Sequence, residues 1–496
     1  MPISDPVSLP NPVEYGIDPE TGFLPAKPPL HRLSDPYFTP WETIMDDFNA
    51  LLLAGRLRSR IHRLDTLEAK RLVSVSEQRR AFLVLSMLAH GYVWGKHEPV
   101  SQSLPACLSR PWCDVADMLG VRPVVCHAAV VLWNWKLLDP SAPRDLSNLA
   151  TLATFSGSMD ESWFYLITTA MEAKGGPVVQ AIMAALKQTV SPLPDLDQLH
   201  DALSSLASLI WLLVDVLQRM YERCDPYVFF WRVRAHLAGW SNMAAAGLPH
   251  GLHYSSVDPP GRYRKYSGGS AGQSALMHLL DVALGVKHFK TGSPNEGKNA
   301  FLRGMRDYMP KCHAAFLAKL ESVCNLREFC QAVDRKDIRE AFDGAVDALK
   351  TFRDGHVRMV TLYIVLPARK GPATGGKESA VGALGSTVKP SDTSRSITPS
   401  PPSSSSSKTQ TPLVIDDTEK EIEADEERAG LGGFYPQEAL SAPPPASPSV
   451  SPKSSSIGGL ARQVNTNEVV RGTGGTDLIP FLRQCRDETT SAKIDG

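Results

Sequence analysis

The chain has 496 residues, with 52 Lys and Arg against 53 Asp and Glu, for a formal net charge of −1. So even a balance leaves no basic footprint for nucleic acid. The opening Met1-Pro-Ile-Ser-Asp-Pro lacks the basic and apolar pattern of a secretory leader, and the densest apolar run, Leu206 to Leu217, is short and interrupted by Asp215, so no membrane span is expected.

Residues 1–40 are rich in proline and carry little periodicity, which predicts an extended arm over a folded body. Helical spacing then recurs over Trp41 to Ala54, Ser76 to Trp94, Pro123 to Trp135, Glu161 to Glu172, Val178 to Thr189, Asp195 to Glu222, Tyr227 to Leu237, Gln273 to Leu284, Asn299 to Val323 and Asp337 to Val365. Alternating β-branched segments are nearly absent, so the fold class is all-α. A proline and serine cluster at Leu138 to Ala142 is expected to separate a smaller helical domain, 41–142, from a larger one, 143–367. From 368 to 463 the composition changes to serine, proline and glycine, with an acidic run from Asp416 to Glu427, and cannot bury enough apolar surface to fold alone. The plain reading is a solvated, disordered insertion, although its serine-proline steps could take phosphates. Order resumes over 464–496, where Gly472-Thr-Gly-Gly-Thr476 leads into Leu478-Ile-Pro-Phe-Leu482. The eight cysteines contain no C-x-x-C pair, which fits reduced thiols in the cytoplasm.

Several segments carry chemistry. Gly268-Gly-Ser-Ala-Gly272 satisfies the G-x-S-x-G pattern of a hydrolase, with Ser270 as nucleophile. That elbow needs a buried strand before it, whereas Pro259 to Tyr266 reads as a polar loop; the alternatives are an ordinary tight loop or close backbone approach to a bulky flat ligand. In Phe229-Phe-Trp-Arg-Val-Arg234, residues Phe229, Val233 and Leu237 share a helical face and Arg234 is offset on the neighbouring one. An arginine beside aromatics can grip a carboxylate with both prongs, or form a surface ion pair. Gly472 to Thr476 could cradle an anion but lacks the lysine of a P-loop. Cys312, His313, Cys324 and Cys330 do not match the spacing of compact zinc modules. His356 falls on the stripe Phe342, Val346, Leu349, Phe352, His356, Val360, where periodicity alone favours a satisfied core histidine over a ligand.

Taken together, Cys126 to Trp135, Trp163 to Thr169, Phe229 to Trp240, Tyr266 to Ser274, Phe352 to Val360 and Gly472 to Asp477 closely resemble the indoleamine 2,3-dioxygenase family, in the same order. The resemblance runs from about residue 40 to 366 and resumes near 464; the long insertion resembles those of fungal members. It implies a heme b enzyme that cleaves the indole ring of L-tryptophan with O2 to N-formylkynurenine, towards NAD, with a cellular reductant keeping the iron ferrous; a monomer is the default expectation. It implies His356 as proximal iron ligand, Arg234 on the substrate carboxylate, Phe229 against the indole and Thr473 on the loop that closes over it. Phe164 and Thr168 match distal-pocket positions, Ser270 and Ala271 the loop near heme and substrate, and Arg353 with Asp281 the propionate edge. His127 and Val130 stand where animal members often have tyrosine and cysteine. No assigned distal position is a histidine or carboxylate, so chemistry is expected at the iron with no side-chain acid or base. A weak or inactive heme-binding homologue, acting as a sensor or through its serine-rich loop, stays open as an alternative.

Overall fold

The computed structural model describes residues 8–95, 98–292, 299–370, 472–473 and 477–494; the expected insertion, from 371 on, lies outside them. The first group of helices is α1 (Thr39–Asp46), α2 (Phe48–Leu53), α3 (Leu57–Ile61), α4 (Val75–Trp94) and α5 (Ala106–Leu119). Ser74 and Glu77 close a capping box that starts α4. From Arg80 to Trp94 every residue of α4 is buried, because α1, α3 and α5 pack around it.

The structure departs from sequence periodicity in several places. The expected helix Trp41 to Ala54 breaks at Asp47 into α1 and α2. The expected helix Pro123 to Trp135 is instead a π turn, Ala128–Leu132, followed by β2 (Trp135–Leu137). Val124 to Val131 are buried all round, so the segment shows an apolar run without a period to read. Conversely, α5 is a helix that the expected elements do not include; it holds Pro111 inside it, and Cys107, Leu108, Trp112, Val115 and Ala116 bury one face.

Two small ribbons brace the body. β1 (Ser103–Leu104) pairs in parallel with β4 (His253–Tyr254), and β2 pairs antiparallel with β3 (Leu149–Thr151), Lys136 opposite Ala150. The second helical group comprises α6 (Met159–Glu172), α7 (Gly175–Val190), α8 (Leu196–Gln218), the single turn α9 (Pro226–Val228), α10 (Ala275–Ala283), α11 (Ala300–Met305), α12 (Lys311–Val323), α13 (Leu326–Ala332), α14 (Lys336–Val360), α15 (Leu366–Lys370) and α16 (Leu478–Thr490). The expected helix Asn299 to Val323 splits at Pro310, which has no N–H to donate. With 25 residues, α14 is roughly 38 Å long and packs chiefly against α8 and α16.

One stretch, Leu196–Glu222, is long and apolar enough to cross a membrane by length and composition. Its leucines at 199, 203, 206, 213 and 217, with Ile210, are buried on the side that packs against α7 and α14, as in a core helix. Among the described residues, one large apolar cluster runs through both helical groups, from Ile17 in the N-terminal arm to Ala492 beyond α16, and Phe230 with Ala368 forms a second, small one.

Candidate functional site

Every site residue singled out in the sequence lines one cavity: Phe164, Thr168, Phe229, Arg234, Ser270, Ala271, Asp281, Arg353, His356 and Thr473. One wall is α14. Phe342, Val346, Leu349 and Phe352 are buried along it, and His356 follows one turn beyond Phe352, half-buried against the cavity. Burial, reinforced by the nearby Arg353 charge, lowers its imidazole to about 4. It is therefore neutral at physiological pH, with a lone pair free to ligate.

Arg353, on the same wall, is held on three sides. Its Nη2 donates to Asp281 Oδ1 at 2.5 Å, and its Nη1 donates to the Cys485 carbonyl at 2.9 Å and to the Thr489 hydroxyl. Burial alone would raise Asp281, but the charges of Arg353 and His288 hold it at about 2.

On α6, Phe164, Thr168 and Glu172 recur every fourth residue on the face that meets the cavity. The Phe164 ring lies 4.6 Å from that of Phe229. Phe229 begins a π turn, Phe229–Val233, that follows α9, whose first turn is set by the Asp225 cap and Pro226. The Arg234 N–H donates to the Phe229 carbonyl, five residues back. This wider turn corrects the α-helical spacing expected for the segment: residues five apart share its face, so Phe229 and Arg234 both reach the cavity. Arg234 is 2% exposed, with its guanidinium 5.3 Å from the Phe230 ring centroid. Burial lowers it to about 10, which leaves it charged at neutral pH. All three π turns among the described residues, Ala128–Leu132, Phe229–Val233 and Thr361–Val365, contribute to the lining.

The Ser270 loop sits directly on the Arg234 segment. Trp240 N donates to the Tyr266 carbonyl at 2.7 Å, and Gly269 N to the Leu237 carbonyl at 3.1 Å. The approach is so close that a Cβ on Gly268 would lie 2.1 Å from the Leu237 oxygen. Gly268 is thus required by neighbouring backbone, while Gly269 to Gly272 line the cavity. Ser270 Oγ accepts from Gly272 N at 3.2 Å, and no strand precedes it, so the hydrolase elbow is not built. Thr473 docks on this loop: its hydroxyl donates to the Gly269 carbonyl at 2.6 Å, and its carbonyl accepts from Gly268 N at 3.2 Å.

Glu172 enters the wall without having been singled out in the sequence. His127 Nε2 lies 2.9 Å from Glu172 Oε1, and Ser274 Oγ donates to the same oxygen at 2.6 Å. The four-residue spacing from Phe164 through Thr168 is the signal that could have found Glu172. Two further cavity histidines, His278 and His288, had none, because neither falls in a periodic pattern with the others.

The family model for indoleamine 2,3-dioxygenase matches residues 11–492. The chain is 34% identical over 490 residues to the indoleamine 2,3-dioxygenase of Saccharomyces cerevisiae, covering 96% of this chain and 92% of that one. It is 36% identical over 368 residues to indoleamine 2,3-dioxygenase 1 of Rattus norvegicus, with 73% and 87% covered. A 6-hydroxytryptophan 2,3-dioxygenase of Fusarium equiseti is 33% identical over 373 residues, with 75% and 89% covered.

Proposed function

This chain belongs to the indoleamine 2,3-dioxygenase family, and on that footing we propose that it opens the indole ring of L-tryptophan with O2, both oxygen atoms entering N-formylkynurenine. Members of the family are heme-dependent dioxygenases that act on indoleamines. The residues of the cavity fit that cofactor: His356 offers a neutral imidazole from an apolar wall of Phe352, Val360, Leu213 and Leu217. His356 would hold the iron, and Arg353, braced by Asp281, would stand at the charged edge of the macrocycle. When bound, ferrous heme supplies the binding and activation of O2.

The remaining work falls to the chain itself. Arg234 holds the substrate carboxylate in a dry wall, where a two-pronged contact is strongest. Phe229 and Phe164 hold the indole between them, and Thr168, Ser270 and Ala271 shape the space around it. Thr473, seated on Gly268 and Gly269, closes over the substrate and excludes water. Fixing carboxylate and ring together places the C2–C3 bond for reaction, a service of proximity rather than of proton transfer. His127 and Glu172 bond to each other, and we assign them no role as acid or base.

The observation that carries this reading is the presence, in the walls of one cavity, of a buried cation, Arg234, and a neutral helical imidazole, His356. The enzyme is further proposed to work as a cytoplasmic monomer, served by a cellular reductant. All eight cysteines are free, which suits a reducing compartment. The test is to measure heme content and N-formylkynurenine formation from L-tryptophan under reducing conditions, with 18O2 to trace both atoms and 6-hydroxytryptophan as competitor. About one heme per chain, doubly labelled product and a higher kcat/KM for L-tryptophan are expected. Heme bound without product would favour the sensor reading instead.

A further inference from the structure

In the wall of the cavity, the segment after α10 brings His288 against α16. His288 Nδ1 lies 2.6 Å from Glu488 Oε2, and Nε2 lies 3.0 Å from Asp281 Oδ2. Cys485 precedes Glu488 by one helical turn on α16. The ligating atoms of His288, Cys485 and Glu488 all lie within 4.8 Å of one another, with Cys485 buried and the other two half-buried. We propose that these three side chains bind one zinc ion, with water completing a four-coordinate shell and Asp281 holding the imidazole from behind.

Two features carry the assignment. The first is the donor set: one thiolate, one imidazole and one carboxylate suit a borderline cation such as zinc, whereas magnesium and calcium take oxygen ligands. Next comes orientation. A metal-bound imidazole characteristically donates its other N–H to a carboxylate, which is the relation of His288 Nε2 to Asp281. That tautomer leaves Nδ1 facing Glu488 and Cys485.

Arg353 occupies the other oxygen of Asp281, which keeps that carboxylate in place behind the imidazole. Zinc takes the imidazole in its neutral form and the sulfur as thiolate, so any proton on either leaves to solvent as the ion enters, and no electron moves. Affinity therefore rises with pH. Occupancy would pin α16, whose Cys485 carbonyl and Thr489 hydroxyl hold Arg353 and whose first turn follows closely on Thr473.

The experiment is equilibrium dialysis of the full-length, heme-loaded protein against zinc buffered by a chelator, followed by elemental analysis. One zinc per chain is expected, with tighter binding at pH 8 than at pH 7. Cys485→Ser and His288→Gln should each lower the affinity by about a hundredfold or more, and Glu488→Gln by about tenfold, with heme content measured on the same preparations. Absence of saturable zinc binding would overturn the site. So would binding that survives Cys485→Ser but is lost when the exposed Cys312 is replaced. Neither result bears on tryptophan cleavage, so this proposal and the dioxygenase assignment fail separately.

Discussion

Arg234 carries its charge in a wall where water scarcely reaches it, and that is why its contact with a substrate carboxylate should matter more than a surface pair would. Such a contact contributes roughly 1.5 to 3 kcal/mol, so Arg234→Ala should raise the apparent substrate constant by about ten- to a hundredfold while leaving heme bound. Steady-state kinetics and the Soret band, measured on the same preparation, check both halves of that expectation. His356→Ala should abolish stable heme binding; a variant that keeps a histidine-ligated spectrum would contradict the assignment. Gly268 gives a purely steric prediction. Its added Cβ would meet the Leu237 oxygen at 2.1 Å, so Gly268→Ala should cost about 1 to 3 kcal/mol of stability and displace the loop that carries Ser270. Urea unfolding measures the first effect and the substrate constant the second.

At the scale of elements, the cavity is assembled by departures from the α-helix. A regular helix would set Phe229 and Arg234 on different faces, and the π turn brings them to the same one. Elsewhere the elements are tied by buried polar contacts. Glu42 on α1 accepts from Arg80 on α4, at 3.0 and 2.6 Å, and from Leu33 N at 2.9 Å. Removing one partner of such a pair strands the other, so Glu42→Ala should destabilise the protein by about 3 to 5 kcal/mol. A shift in the urea midpoint of only a few tenths of that size would show that the first helical group does not depend on this tie.

For the whole molecule, several buried titratable groups oppose one another along the pH axis. Burial lowers His90 to about 3, His278 to about 4 and His313 to about 3. An unfolded chain takes up protons at these positions below about pH 6.5, which the folded chain resists. Their stabilisation is therefore fully present above that pH and is lost as pH falls towards the folded values. In the metal-free chain His288 has the opposite sign: raised to about 11, it contributes fully below about 6.5 and its contribution is lost as pH rises through 11. Stability should peak near neutrality and decline on both sides, steeply on the acid side. Urea midpoints measured from pH 4 to 9 check this, and a midpoint independent of pH below 6.5 would contradict it.

How much of this was legible without coordinates differs from residue to residue. Long periodic segments such as α8 and α14 were readable because one buried stripe repeats every three or four residues. Ordered motifs around Arg234, Ser270, His356 and Thr473 pointed to the family, although periodicity around His356 alone favoured a core residue. What stayed hidden follows a common physical rule. The π turn at Phe229, the backbone contact that demands Gly268, the bond between His127 and Glu172, and the meeting of His288 with Glu488 depend on neighbours distant along the chain. Local sequence thus determined the helical class and the residue types available for chemistry. Only the tertiary structure decided which of those side chains face one another, because that depends on packing among segments as much as 200 residues apart.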